Sequence, residues 1–331
     1  IMFARCRAWI VYQGYSQEIN TNSLETFALD DSCRGHWRYH IPTGQGENVS
    51  ITLSLKMTAG ENAVPLTFYR QSAGGITDRL DDAKAIQLIL RPDIESRNFH
   101  DTTKAYTGPE SQWPQNVSCK KREFKFMPDS NHHLRVKISG GDFVPEPEWQ
   151  YMVYREIDAQ RGLDPHSDLF SPGYFSAFLK GDQQVTLSAE INGSPDAGAK
   201  KKNALSHPTP GLLDSGGNTT SKPLKIITHA LDDFVVDRGE LKSVIAGYPW
   251  FLDWGRDALI FVRGMIAARK TSEALAILKQ FGRFEEQGTL PNMIRGNDAA
   301  NRDTSDAPLW FILACDDLTR ADNSTDLLDV D

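Results

Sequence analysis

Gly247-Tyr-Pro-Trp-Phe-Leu-Asp-Trp-Gly-Arg-Asp257 packs four aromatics, two acids, an arginine and two glycines into eleven positions. Ordinary loops favour small polar residues, so this composition marks a segment with a task. Both flanks have the period of a helix. Downstream, one apolar run extends from Asp257 to Arg269 and another from Ser272 to Glu286. Only Lys270-Thr271 separates them, which predicts a tight antiparallel pair with Thr271 as N-cap. A further helix is expected from about Asp306 to Leu318. Upstream, Leu224, Ile227, Leu231, Phe234 and Val235 would share one face of a helix reaching about Arg238. Four helices joined by alternating long and short connections read as the opening of an α/α toroid.

Toward the N-terminus the period falls to two. Val49 to Leu55, Val64 to Tyr69, Ile86 to Leu90, Glu123 to Phe126, Leu134 to Ile138 and Val185 to Ile191 alternate apolar and polar residues between turns. Many short half-buried strands predict a large antiparallel β-sandwich over 1–191. The stretch 192–223 is rich in Gly, Ser, Pro, Lys and Asn and is too poor in large apolar residues to bury a core, so a linker is expected there. The fold class is thus α+β and multidomain, with the sandwich first and a helical domain over 224–331.

The 331 residues suit about two domains, each able to fold without disulfides or a structural metal. Lys plus Arg number 36 against 44 Asp plus Glu, giving a net charge of −8 and no basic stripe to neutralise phosphates. Nucleic acid is therefore not an expected partner, nor is a membrane: no apolar run approaches the ~20 residues of a bilayer span. With no leader at the start, a soluble, cytoplasmic protein is the expectation. Cys6, Cys33, Cys119 and Cys315 form no zinc-type spacing and read as buried thiols. His132-His133 sits where a strand would aim its two rings to opposite faces, and no third ligand stands at useful spacing. Gly140-Gly141 and Gly216-Gly217 read as turns, and Lys200-Lys-Lys202 as a solvated charge run.

The chemistry sits in the aromatic loop. The flat faces of Trp250 and Trp254 suit the apolar face of a pyranose, while Arg256 and Asp257 can fork hydrogen bonds onto vicinal hydroxyls. The alternative is structural: the aromatics plug the end of the helical layer and Arg256 pairs with an acid.

Ile245-Ala-Gly-Tyr-Pro-Trp-Phe-Leu-Asp-Trp-Gly-Arg-Asp-Ala-Leu-Ile260, followed by Ala274-Leu-Ala-Ile-Leu278, Gly288-Thr-Leu-Pro-Asn292 and Thr304-Ser-Asp-Ala-Pro-Leu-Trp-Phe311, resembles the glucosidase domain of glycogen debranching enzymes of the bacterial and archaeal type. The order and spacing of the motifs hold from about Leu224 to Leu318. Pro145-Glu-Pro-Glu-Trp149 and the segment from Arg161 to Phe175 more weakly resemble the later part of the sandwich that precedes that domain.

The resemblance implies the first helices of an (α/α)6 barrel, a pocket for one glucose unit, and amylo-α-1,6-glucosidase action on glycogen or another branched α-glucan. It gives a sugar-holding role to Trp254, Arg256 and Asp257, with Trp250 beside them, and places Asn292, Asp306 and Trp310 on the next two connections at the same end. Where many relatives have Tyr-Asn, this chain has Arg302-Asp303. Inverting hydrolysis needs a carboxylic acid and a carboxylate about 6.5–9.5 Å apart. In the family both are expected beyond Asp331, so the chain reads as a fragment that does not turn over by itself. A carboxylate beside a fixed arginine favours its ionised form, which suits Asp257 to binding rather than proton donation. No cofactor or metal is expected, and no oligomeric state follows. Two alternatives stay open: a glucoamylase-like or trehalase-like hydrolase, and a non-catalytic α-glucan-binding protein.

Overall fold

The computed structural model describes residues 1–30, 34–58, 61–98, 101–160, 162–192, 230–247, 251–295, 298–302 and 305–322. It divides into two units, Ile1–Asp214 and Ser215–Asp331. The linker expected over 192–223 falls outside the described residues except for Asn192, the end of a strand.

Among its described residues the first unit contains thirteen strands: β1 (Phe3–Tyr12), β2 (Tyr15–Glu18), β3 (Leu24–Leu29), β4 (Gly35–Pro42), β5 (Asn48–Leu55), β6 (Ala63–Arg70), β7 (Ile86–Ile94), β8 (Val117–Lys120), β9 (Glu123–Phe126), β10 (His133–Ile138), β11 (Asp142–Tyr154), β12 (His166–Leu179) and β13 (Gln183–Asn192). Two short helices, α1 (Pro109–Gln112) and α2 (Glu156–Gln160), lie between them. Every pairing is antiparallel. One sheet has the order β11-β12-β7-β1-β2 and the other β3-β4-β5-β6-β13-β10-β9-β8. All six stretches singled out by period two are strands. Alternation explains the layering: Ile86, Leu88 and Leu90 point to the same buried core as Val185, Leu187 and Ala189 of the opposite sheet. The rings of Phe124, Phe143 and Phe175 meet there with centroids 4.9–6.0 Å apart.

A buried arginine joins the sheets. Arg70, at the end of β6, donates to the carbonyls of Leu80 (2.9 Å), Asp81 (3.0 Å) and Lys84, and across to that of Leu179 at the end of β12 (3.0 Å). Burial lowers its pKa, and the four carbonyls supply the acceptors that a buried guanidinium requires. The cysteine expectation is corrected at Cys119, which is exposed on the edge strand β8. Cys6 keeps partial solvent contact as a residue while its thiol packs against the core. Cys33 lies outside the described residues. Asp129 caps the turn at His132, accepting from the backbone N–H groups of Asn131 (2.7 Å) and His132 (2.9 Å), with its carboxylate 2.9 Å from the His132 ring nitrogen.

In the second unit the described residues of the first expected helix are not α-helical beyond Ala230. Leu231–Phe234 is one 3-10 turn, followed by a hairpin of β14 (Val235–Arg238) and β15 (Leu241–Val244), while 224–229 lie outside the described residues. Val235 and Val236 are β-branched, and Gly239 adopts φ +63° as the first residue of a two-residue turn, so local strand chemistry overrides an apolar spacing that also fits a helix. The other three helices are present: α3 (Gly255–Ala267), α4 (Thr271–Gly282) and α5 (Ala307–Asp322). Ala258, Leu259, Val262, Met265 and Ile266 of α3 face Ala274, Ile277, Leu278 and Phe281 of α4 and Ala307, Ala314 and Leu318 of α5. Thr271 is not the N-cap. Arg269 N–H bonds the Ile266 carbonyl at 3.0 Å and Lys270 N–H that of Met265 at 2.9 Å, with Arg269 at φ +63°. This αL cap of α3 uses up residues 269–270, and α4 starts directly after it with Lys270 at its N-cap and no side-chain cap. Lys270 Nζ instead reaches Asp232 at 2.7 Å.

The three helices form a packed layer and do not by themselves close a barrel. On α5, Leu309, Ile312 and Leu313 are exposed opposite the buried alanines, as is Ile260 on α3. No helix among the described residues is long and apolar enough to cross a membrane.

Candidate functional site

Three separated segments converge at the start of α3. Asp253–Trp254 forms a two-residue strand, β16, paired antiparallel with β17 (Met293–Ile294), with Trp254 opposite Met293. The next residue is a glycine for steric reasons: Gly255 N–H donates to the Asn292 carbonyl at 2.8 Å, and a Cβ there would stand 2.4 Å from the Pro291 carbonyl oxygen. The same Cβ would lie 3.5 Å from that of Ala307, the first residue of α5. The loops before α3, after α4 and before α5 thus meet around one backbone position.

Arg256 and Asp257 follow in the first turn of α3, both exposed. Asp257 carries a negative charge where the helix dipole favours one. Arg256 reaches across to Asp306 with Nε 2.6 Å from Oδ2 and Nη2 3.1 Å from Oδ1. This fork raises the guanidinium pKa, with Asp257 adding a smaller push in the same direction. The expected structural alternative, an acid paired with Arg256, is therefore present, and its partner is another candidate. The pairing fixes the guanidinium on Asp306, within electrostatic reach of Asp257.

The remaining candidates divide. Asn292 belongs to the framework through its backbone: its N–H donates to the Asn301 carbonyl at 2.8 Å and its carbonyl accepts from Gly255. Trp254 is half-buried beside it. Trp310 lies one turn into α5, packed against the core with the Arg263 guanidinium 5.7 Å from its ring centroid. That ring serves the packing of α3 on α5. Trp250 lies outside the described residues, as does Asp303.

Two braces were not legible in the sequence. Asp253 is buried and has Arg238 Nε 3.0 Å from Oδ2, off the line of a hydrogen bond. This pair ties the β14–β15 hairpin to the aromatic loop. Arg302, the residue that departs from the family pattern, donates to the carbonyls of Phe284 (2.7 Å) and Thr289 (3.3 Å) and to Thr289 Oγ1 (3.1 Å). It clasps the turn preceding Leu290-Pro-Asn292. Among the described residues no three His, Cys, Asp or Glu side chains are arranged to hold a metal.

The first unit is thus a layered antiparallel sandwich, and the second is a helical unit that gathers polar loops at one point. The chain belongs to the glycogen debranching enzyme family: the model described as glycogen debranching enzyme N terminal matches residues 1–186, and that described as amylo-alpha-1,6-glucosidase matches 229–330. Among solved structures it is similar to a bacterial glucoamylase complexed with acarbose, at 12% identity and TM-score 0.50, over 97% of this chain and 51% of that one. It is also similar to a protein named as a kojibiose phosphorylase from human microbiome, at 13% identity and TM-score 0.44, over 95% of this chain and 45% of that one. The chain thus spans about half the length of these solved relatives, and at such identities the likeness concerns the fold. No curated protein sequence matches it.

Proposed function

We propose that the intact protein debranches glycogen or a related branched α-glucan in the cytoplasm, hydrolysing α-1,6 branch points with inversion, and that the loops described here hold the glucose unit at the branch. The observation that carries this reading is the Arg256–Asp306 fork set beside Asp257 on a framework of three converging loops, in a chain with both debranching-family domains. Asp257 accepts sugar hydroxyls, Arg256 donates to them, and Trp254 and Trp250 supply apolar ring faces. Two carboxyl groups perform the proton transfers of an inverting glycosidase. We assign neither to the described residues, because Asp306 is committed to Arg256 and Asp257 serves as a hydroxyl acceptor. The reaction as read here uses no metal or organic cofactor.

The fold likeness to the glucoamylase favours a second reading, hydrolysis of linear α-glucosides. Product analysis decides between them. Release of glucose by the intact enzyme from a singly branched limit dextrin, with linear maltooligosaccharides untouched, supports debranching. Cleavage of the linear substrates at a comparable rate overturns it.

A further inference from the structure

The sandwich carries an exposed aromatic surface that its own packing does not require. β11 and β12 lose register between Gln150 and Val153, and Met152 sits there at φ +54°, a left-handed conformation unfavourable for a side chain with a Cβ. A buried carboxylate holds the strained segment in place. Asp168 accepts from Met152 N–H at 2.8 Å through Oδ1 and from Ala105 N–H at 2.8 Å through Oδ2. One side chain thereby binds together the segments that present Tyr106 and Tyr151.

The tyrosines are also supported from beneath. Tyr151 stacks on Trp149 with ring centroids 6.2 Å apart and planes 15° from parallel, and Trp149 stacks in turn on the buried Trp113 at 5.5 Å. The Tyr151 hydroxyl donates to the Glu110 carboxylate. Tyr154 has the His166 ring 5.5 Å away. Yet Tyr106 is 80% exposed, Tyr151 55% and Tyr154 58%. A bulge that turns large rings outward gains no burial energy, and strain maintained by buried hydrogen bonds is a pointer to a recognition surface.

The local charge narrows the ligand. Among the described residues, Lys104 pairs with Asp164 at 2.8 Å and Arg155 with Glu95 at 2.8 Å and Asp158 at 3.9 Å, while Glu110 accepts from Tyr151 and Glu156 adds a negative charge. With Lys104 and Arg155 held by acids, these described residues offer a polyanion little to bind. A neutral chain with flat apolar faces and hydroxyls that can donate to carboxylates fits the rings and acids alike.

We propose that Tyr106, Tyr151 and Tyr154 form a second α-glucan-binding surface, on the sandwich, that tethers the polymeric substrate. The ligand class rests on the α-glucan reading above.

The test uses retardation of the chain in gels containing glycogen, and kinetics of the intact enzyme. Tyr106→Ala and Tyr151→Ala each weaken glycogen retardation about fivefold, and the pair together more, through lost ring contacts. Tyr151→Phe keeps most of the affinity because the ring remains. In the intact enzyme the double variant raises KM for glycogen but leaves KM for a short, singly branched oligosaccharide unchanged. Unaltered melting temperatures show that the variants are folded. If glycogen fails to retard the unsubstituted chain, or retards the tyrosine variants equally, the surface has no such role. If retardation is lost with Trp254→Ala but not with the tyrosine changes, this surface fails and the debranching reading stands. If the tyrosine changes abolish retardation while the intact enzyme releases no glucose from a branched dextrin, the surface stands and the debranching reading falls.

Discussion

Arg256 and Asp306 lie fifty positions apart in sequence and meet through two nitrogen–oxygen contacts of 2.6 and 3.1 Å, so that a helix start and a loop end share one plane of hydrogen bonds. Arg256→Lys preserves the charge and loses the fork. Because the pair is solvent-accessible, the melting temperature should barely change. Glucan affinity of the intact enzyme, measured by calorimetry with a branched oligosaccharide, should fall about tenfold, since a lysine cannot hold the planar two-point geometry.

Asp257→Asn retains shape and replaces a charged acceptor by a neutral amide. Hydroxyl contacts tighten as the ring flattens in the transition state, so kcat/KM should drop roughly ten- to a hundredfold and by more than glucose affinity does. Both limbs of the pH–rate profile should stay in place. A displaced basic limb with normal glucose binding would mean that Asp257 is the proton donor.

Two substitutions at the ends of α3 should have opposite signs. Gly255→Ala drives a methyl to 2.4 Å from the Pro291 carbonyl oxygen and should destabilise the helical unit by about 1–3 kcal/mol in chemical denaturation. Arg269→Gly removes a Cβ from a left-handed residue and should stabilise it by about 1 kcal/mol.

The Cys6 thiol is pushed up to about 12 by burial, with Asp93 adding to the effect. At neutral pH a maleimide should label Cys119 and leave Cys6 untouched until denaturant is added, as read by peptide mass spectrometry. In the folded state the proton stays on beyond the ordinary thiol value of 9.0. The unfolded chain therefore releases it first, and this contribution to stability is complete below pH 9 and declines as the pH rises toward 12.

The sandwich was readable because strands such as β6 and β10 bury alternate residues, and a period of two survives any arrangement of neighbours. The failure at Leu231 to Arg238 has the opposite cause: the four apolar residues Leu231, Phe234, Val235 and Val236 can be read with either period, and the turn at Gly239 decides between them. The same limit shows at Thr271, a good capping residue displaced by the cap of the preceding helix. In the site, the motif segments carried their own signal through unusual composition. The pairings Arg256–Asp306 and Arg238–Asp253 did not, since a charged residue says nothing in sequence about which opposite charge it will meet.

The exposed row Leu309, Ile312 and Leu313 gives the last helix two apolar sides, with the smaller residues, Ala307 and Ala314, turned inward. Leu318 is buried with those alanines, and Trp310 and Phe311 pack against the same core, so the inner side still holds the larger share of the buried apolar surface. Arg256 with Asp306, and Arg263 with Asp317, add two polar links from α3 to that helix and to the residue before it. Both links agree with the rotation that buries Leu318, so the pairing proposed to face the sugar and the packing of the helix specify the same inner side.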